Sequence, residues 1–169
     1  MRNSKLLQRE DGVKITVITV NFNNLNGLKR TIPSVFSQTY NQYEYIIVDG
    51  GSTDGSKEYI EQYSPLIDEW VSEPDKGVYN AMNKAIKMAH GEFCIFMNSG
   101  DHFYSPTVLD EVLPSLNDAD IYTGYTLRIG DKQVDIWAPP VELDMHFMMY
   151  ESLSHQATFT RTSILKERP

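Results

Sequence analysis

Cysteine is almost missing from this 169-residue chain. Cys94 is the only one, so no internal disulfide can form. Its setting in Phe93-Cys94-Ile95-Phe96-Met97 marks a small buried hydrophobe rather than a nucleophile. Such usage suits a reducing compartment, and the expected location is the cytoplasm, with peripheral attachment at the inner face of the cell membrane as an alternative. Basic residues are also short, 15 against 23 acidic ones, for a net charge of -8. That balance argues against nucleic acid as a partner and against a polybasic membrane patch. No apolar run reaches spanning length and no signal-peptide core is visible, so a soluble domain is expected. The first apolar run lacks Gly-x-Gly-x-x-Gly and ends instead in Asn21-Phe22-Asn23-Asn24, which counts against a dinucleotide-dependent oxidoreductase.

What remains, with 41% hydrophobic residues, is enough for one sizeable core and one domain. Its centre is the stretch Ile46 to Gly55. A β-branched run reads as a buried parallel strand, and it empties into a loop of glycine, small hydroxyls and the carboxylates of Asp49 and Asp54. Ligands in open α/β sheets sit past the carboxyl ends of the strands, where such a loop could meet ribose or a metal. The competing role for Asp54 or Ser56 is to cap the next helix.

Residues 1–12 read as a loose tail, and 14–20 as the first strand, ending near Phe22, whose ring suits either a nucleobase or the core rim. Leu28, Ile32, Val35 and Phe36 form one helical face interrupted by Pro33, which predicts a kink or a late start near Thr31. A short helix over 56–63, a strand near 68–72 and a helix with the buried stripe Val78, Met82, Ala85, Ile86 and Ala89 follow. The last of these starts behind Asp75-Lys76-Gly77. A helix start is a ready anion site, so Lys76 and Asp75 suit phosphate and sugar hydroxyls, whereas packing alone needs Asp75 only as an N-cap. A fourth strand over 93–97 delivers Asn98-Ser99-Gly100-Asp101-His102 to the same side, and Asp101 is a hard ligand suited to Mg²⁺ or Mn²⁺, with Asn98 a weaker second. Three strand ends, each followed by a carboxylate, carry the functional expectation.

Residues 16–23, Gln38-Thr39-Tyr40, 48–54, 75–91 and 98–101 together resemble the successive motifs of family 2 glycosyltransferases over roughly residues 13–115. The resemblance implies an α/β chain of the GT-A fold, with a mostly parallel sheet and helices on both faces. It also implies transfer of a sugar from a nucleotide-diphosphate donor, a UDP-sugar first, to a saccharide or lipid-linked saccharide acceptor in cell-surface polysaccharide biosynthesis, commonly with inversion and a divalent cation. A membrane-associated biosynthetic complex is an implied partner.

By the same resemblance, Val20 and Phe22 flank the base, and Asp49 matches the first carboxylate of an Asp-Asp-Gly-Ser pattern whose second place is taken here by Gly50. Asn83 and Asp75 fall where relatives line the donor sugar and ribose, and Lys76, Gly77, Asn80, Asn98 and Ser99 are the further nucleotide-sugar-binding candidates. Asn98-Ser99-Gly100-Asp101 stands where many members have Asp-x-Asp-Asp, leaving Asp101 as the single metal carboxylate. Beyond Pro106 the pattern thins to a helix near 108–113 and strands over 121–125, 127–129 and 133–137, the last two joined by Gly130-Asp131. Residues 145–150 suit core packing, a lid or a partner contact, and His155 suits either the diphosphate and acceptor or a place beside a strand. The acidic motif that supplies the general base in relatives is not found. Asp144 and Glu151 do not match it, so 13–169 is expected to be a C-terminally incomplete domain, with a donor half over 13–115 and the start of an acceptor half over 116–169. A nucleotide-sugar-binding module without catalysis is the alternative.

Overall fold

The structure, a computed structural model, describes residues 12–130, 133–140, 144, 147 and 151–167. Four parallel strands lie side by side: β1 (Ile15–Asn21), β2 (Glu44–Asp49), β3 (Glu69–Ser72) and β4 (Phe93–Phe96). The helices between them are α1 (Leu25–Phe36), α2 (Ser56–Tyr63) and α3 (Val78–Met88). After α4 (Val108–Val112) come β5 (Ile121–Thr123), β6 (Thr126–Ile129), β7 (Val134–Trp137), β8 (Thr158–Arg161) and α5 (Thr162–Glu167). The main sheet runs β3-β2-β1-β4-β8-β5, with β8 antiparallel to both β4 and β5, and β6 and β7 form a separate ribbon.

Strands β1 and β2 are buried at every residue because helices cover both faces. Alternation along β1 divides the core. Ile15 and Val17 pack with Leu28, Ile32 and Val35 of α1 and Ile60 of α2, while Ile18 and Val20 pack with Ala81, Ala85 and Ala89 of α3. The chain winds from β1 outward through β2 to β3, then returns to place β4 on the other flank of β1. That reversal is a topological switch point, and it opens a crevice at the carboxyl ends of β1 and β4.

Most expected elements are present, with corrections. Helix α1 does not start late. It begins at Leu25, because the Asn24 side chain caps it by accepting from the Gly27 N–H at 3.0 Å, and it runs through Pro33 to Phe36. Strand β2 starts earlier than its apolar run suggests, at a buried Glu44 that accepts from Thr16 Oγ1 at 2.6 Å and His90 N at 2.8 Å. The tail, except Gly12, lies outside the described residues, as do Asp131 of the expected turn and all of 145–150 but Phe147. No helix among the described residues is long and apolar enough to cross a membrane.

Candidate functional site

The last residues of β1, β2 and β3 stand in one row, Asn21 beside Asp49 and Asp49 beside Ser72. Asp49 Oδ1 accepts from Asn21 Nδ2 at 2.7 Å and Ser52 Oγ at 2.5 Å, and Oδ2 accepts from Ser52 N at 2.9 Å and Ser72 Oγ at 2.7 Å. Burial pushes this carboxyl up, but the Ser52 and Ser72 hydroxyls, the Ser52 N–H and the Asn21 amide outweigh it and hold it below its ordinary value. With no exposed surface and both oxygens engaged, Asp49 turns inward and braces three strand ends, not outward toward a ligand as its motif position suggests.

Sequence reasoning missed the residues that stitch the loops together. Asn23, at φ 48°, donates its N–H to Ser52 Oγ at 2.7 Å and accepts from Thr53 N at 2.9 Å. Asn24 Nδ2 donates to the Ser99 carbonyl at 2.9 Å. Thr31, buried in α1, donates to the Asp101 carbonyl at 2.7 Å and accepts from Gly100 N at 2.9 Å, so α1 carries the 98–101 loop. Asp54 accepts from Leu25 N at 2.8 Å and Ser56 N at 3.1 Å, which is the capping role. The one available signal was the run of three asparagines between Asn21 and Asn24, since asparagine bonds nearby backbone readily.

At the β2 and β3 ends, Gly50 is crowded. A Cβ built on it would lie 2.7 Å from Asp75 Oδ2 and 3.1 Å from Phe22 Cδ2. Phe22 is 65% exposed, so its ring is not part of the core. Val20 beneath it is buried and accepts from Ser99 N at 3.1 Å through its carbonyl. Asp75 is not the helix cap. Gly77 holds that place at φ +106°, a conformation that disfavours side chains, and donates its N–H to Asp75 Oδ1 at 2.8 Å. Lys76 is exposed, its N–H bonded to Asn80 Oδ1 at 3.2 Å, and Asn83 lies half-buried one turn further along α3.

At the β4 end, the 3-10 turn His155–Ala157 brings His155 Nε2 to 3.9 Å from Asp101 Oδ2, and Asn98 Nδ2 donates to the same nitrogen at 3.1 Å. Burial raises the Asp101 carboxyl against a hydrogen bond from Gln156 and the nearby His155. Burial also lowers His155, against the pull of Asp101. Asn98 Oδ1 is buried with no hydrogen-bond partner among the described residues. That orphaned oxygen beside a carboxylate fits a hard cation, although the described residues contain no cluster of three acidic, histidine or cysteine side chains. Beyond Asp101 opens a cavity of about 1100 Å³ whose lining includes Phe103, Tyr122, Tyr125, Leu127 and Gln156.

The turns at 21–24, 49–55, 73–77 and 98–101 are thus one contiguous surface at the switch point. The family model for glycosyl transferase family 2 matches residues 16–164. The chain belongs to that family. An uncharacterized glycosyltransferase of Mycobacterium tuberculosis is 41% identical over 104 residues, covering 61% of this chain and 40% of its own length. The Bacillus subtilis glycosyltransferase TuaG, named for teichuronic acid biosynthesis, is 32% identical over 123 residues, covering 69% of this chain and 48% of its own. The chain therefore spans about half the length of such curated relatives. Staphylococcus aureus TarS 1–349 in complex with UDP superimposes with a TM-score of 0.73 at 22% identity, covering 92% of this chain and 48% of that one, which shows the GT-A fold.

Proposed function

We propose that the crevice binds a nucleoside-diphosphate sugar and that the protein transfers the sugar to an acceptor hydroxyl during cell-surface polysaccharide or glycolipid assembly. The observation that carries this reading is the convergence, at the carboxyl ends of the parallel strands, of an exposed aromatic ring (Phe22), the start of α3 with Lys76, and Asp101. These suit, in order, the base, the diphosphate and its cation. Val20, Gly50, Asp75, Gly77, Asn80, Asn83, Asn98 and Ser99 complete the proposed donor surface, with Asp49 as its internal brace.

Asp101 and Asn98 Oδ1 would hold a divalent ion, Mg²⁺ or Mn²⁺, which would neutralise charge on the diphosphate oxygens. With one carboxylate, that site leans on the diphosphate for its remaining ligands. Transfer is a direct displacement that inverts the anomeric carbon: the acceptor oxygen forms the new bond, the bond to the diphosphate oxygen breaks, and the acceptor proton passes to a base. Lys76 and the first turn of α3 stabilise the departing charge, and His155 offers a hydrogen bond to the diphosphate or the acceptor. The cavity beside Asp101 receives the acceptor, and its aromatic lining suits a lipid-linked saccharide. Neither Asp144 nor Glu151 is assigned as base. Because the chain spans about half of its relatives, a module that binds donor without transfer is the second reading.

Calorimetric titration of UDP and GDP, with and without Mn²⁺, tests binding, and release of the diphosphate from nucleotide sugars tests transfer. Binding strengthened by Mn²⁺ supports the donor site. No binding of either nucleotide ends the proposal, and binding without release favours the second reading.

A further inference from the structure

Resting on the nucleotide reading above, we infer that Asp75 reads the edge of the nucleobase, delivering from the β3 loop the carboxylate that position 50 does not carry. The side-chain volume above the Gly50 Cα is not empty. It holds Asp75 Oδ2, 2.7 Å from where a Cβ would be, and the Phe22 ring edge, 3.1 Å from the same point. A stacking surface and a hydrogen-bond acceptor therefore meet at one spot.

The carboxylate is also oriented. Gly77 N–H holds Oδ1 at 2.8 Å, and Oδ2, the oxygen aimed at Gly50 and Phe22, has no hydrogen-bond partner among the described residues. An oxygen so placed beside a ring that is 65% exposed can be satisfied by an N–H in the plane of a base stacked on that ring. A carboxylate only accepts. At the ring-nitrogen position it is matched by the N–H of uracil and guanine and set against the unprotonated nitrogen of cytosine and adenine, whose exocyclic amino groups are the donors left to those two bases. Gly50 follows from the same geometry, because an aspartate there would put a second anion against Asp75.

Four variants, D75A, D75N, G50D and the swap G50D/D75A, separate base reading from loop support. Affinities for UDP, GDP, CDP and ADP are measured by calorimetry, with unfolding midpoints as a check on folding. The wild type is expected to bind UDP or GDP at least tenfold tighter than CDP and ADP. D75A is expected to lose about tenfold for the preferred nucleotide and little for CDP, so that the preference collapses. D75N can donate to the cytosine ring nitrogen and is expected to gain on CDP. G50D is expected to bind more weakly than D75A, and the swap to recover the wild-type preference at least in part. A D75A variant that keeps the wild-type ranking, or loses all four nucleotides equally with no recovery in the swap, overturns the inference while leaving the donor site standing. A wild type that binds none of the four overturns both.

Discussion

Replacing Asp49 by alanine removes the acceptor for four hydrogen bonds at a point with no access to solvent. The Ser52 N–H loses its partner outright, and Asn21 Nδ2 keeps only a 3.2 Å contact with Ser52 Oγ, while the Ser52 and Ser72 hydroxyls can rotate. An unpaired buried donor costs about 1–3 kcal/mol, so two of them put the loss at up to about 2–6 kcal/mol. That is a large share of the roughly 5–15 kcal/mol by which a domain is stable. The pH dependence adds a sharper condition. A carboxyl held below its ordinary value contributes stability that is present above about pH 4 and is lost as pH falls through the folded-state value. The gap between wild type and D49A should therefore be full at pH 7 and shrink on acidification below about pH 4. Urea unfolding followed by the fluorescence of Trp70 on β3 measures both. Equal midpoints at pH 7, or a gap that does not change with pH, would refute the bracing role.

Thr31→Val keeps the shape of a buried α1 residue but removes its bonds to the Asp101 carbonyl and from Gly100 N, so about 1–2 kcal/mol of stability should be lost, read by urea unfolding. The same variant should weaken the enhancement of UDP binding by Mn²⁺ more than it weakens metal-free binding. Asp101→Asn in EDTA should unfold at higher urea than wild type at pH 7, because a carboxyl whose value is raised in the fold costs stability as pH rises through that value; at pH 3 the two should coincide. Cys94, pushed up to about 11 chiefly by burial, should ignore a disulfide reagent at pH 8 until denaturant opens the core, and fast modification of the native protein would contradict its packing beneath α3.

Strands β1, β2 and β4 were legible because helices on both faces demand apolar runs, and α3 because Ala85, Ile86 and Ala89 keep helical spacing, although Val78, expected in the same stripe, is 48% exposed at the first turn and Met82 is only partly buried. The start of α1 was not, since Pro33 dominates its pattern while the decisive cap, Asn24, lies in a run that reads as loop. The convergence of the strand-end turns was legible, and the division of labour among their residues less so. A carboxylate at a strand end has the same letter whether it meets a ligand or clamps its neighbours, and only the register of Asn21, Asp49 and Ser72 reveals Asp49 as a clamp. Gly50 read as a missing carboxylate, and its meaning depends on Asp75, 25 residues away in sequence and in contact through space. Past Pro106 the ribbon strands β6 and β7 are short and largely exposed, so burial imposes little pattern there.

The account stands on the strand-end turns forming one nucleotide pocket, and amide chemical shifts test this most directly. Titration of UDP, and in a parallel arm GDP, with Mg²⁺ into ¹⁵N-labelled protein should move Phe22, Gly50, residues 75–77 and residues 98–101, and leave α2 and a second cleft, lined by Ser64, Pro65, Trp70 and Met88, unmoved. Shifts confined to that cleft, or no shifts at all at millimolar nucleotide, would contradict it.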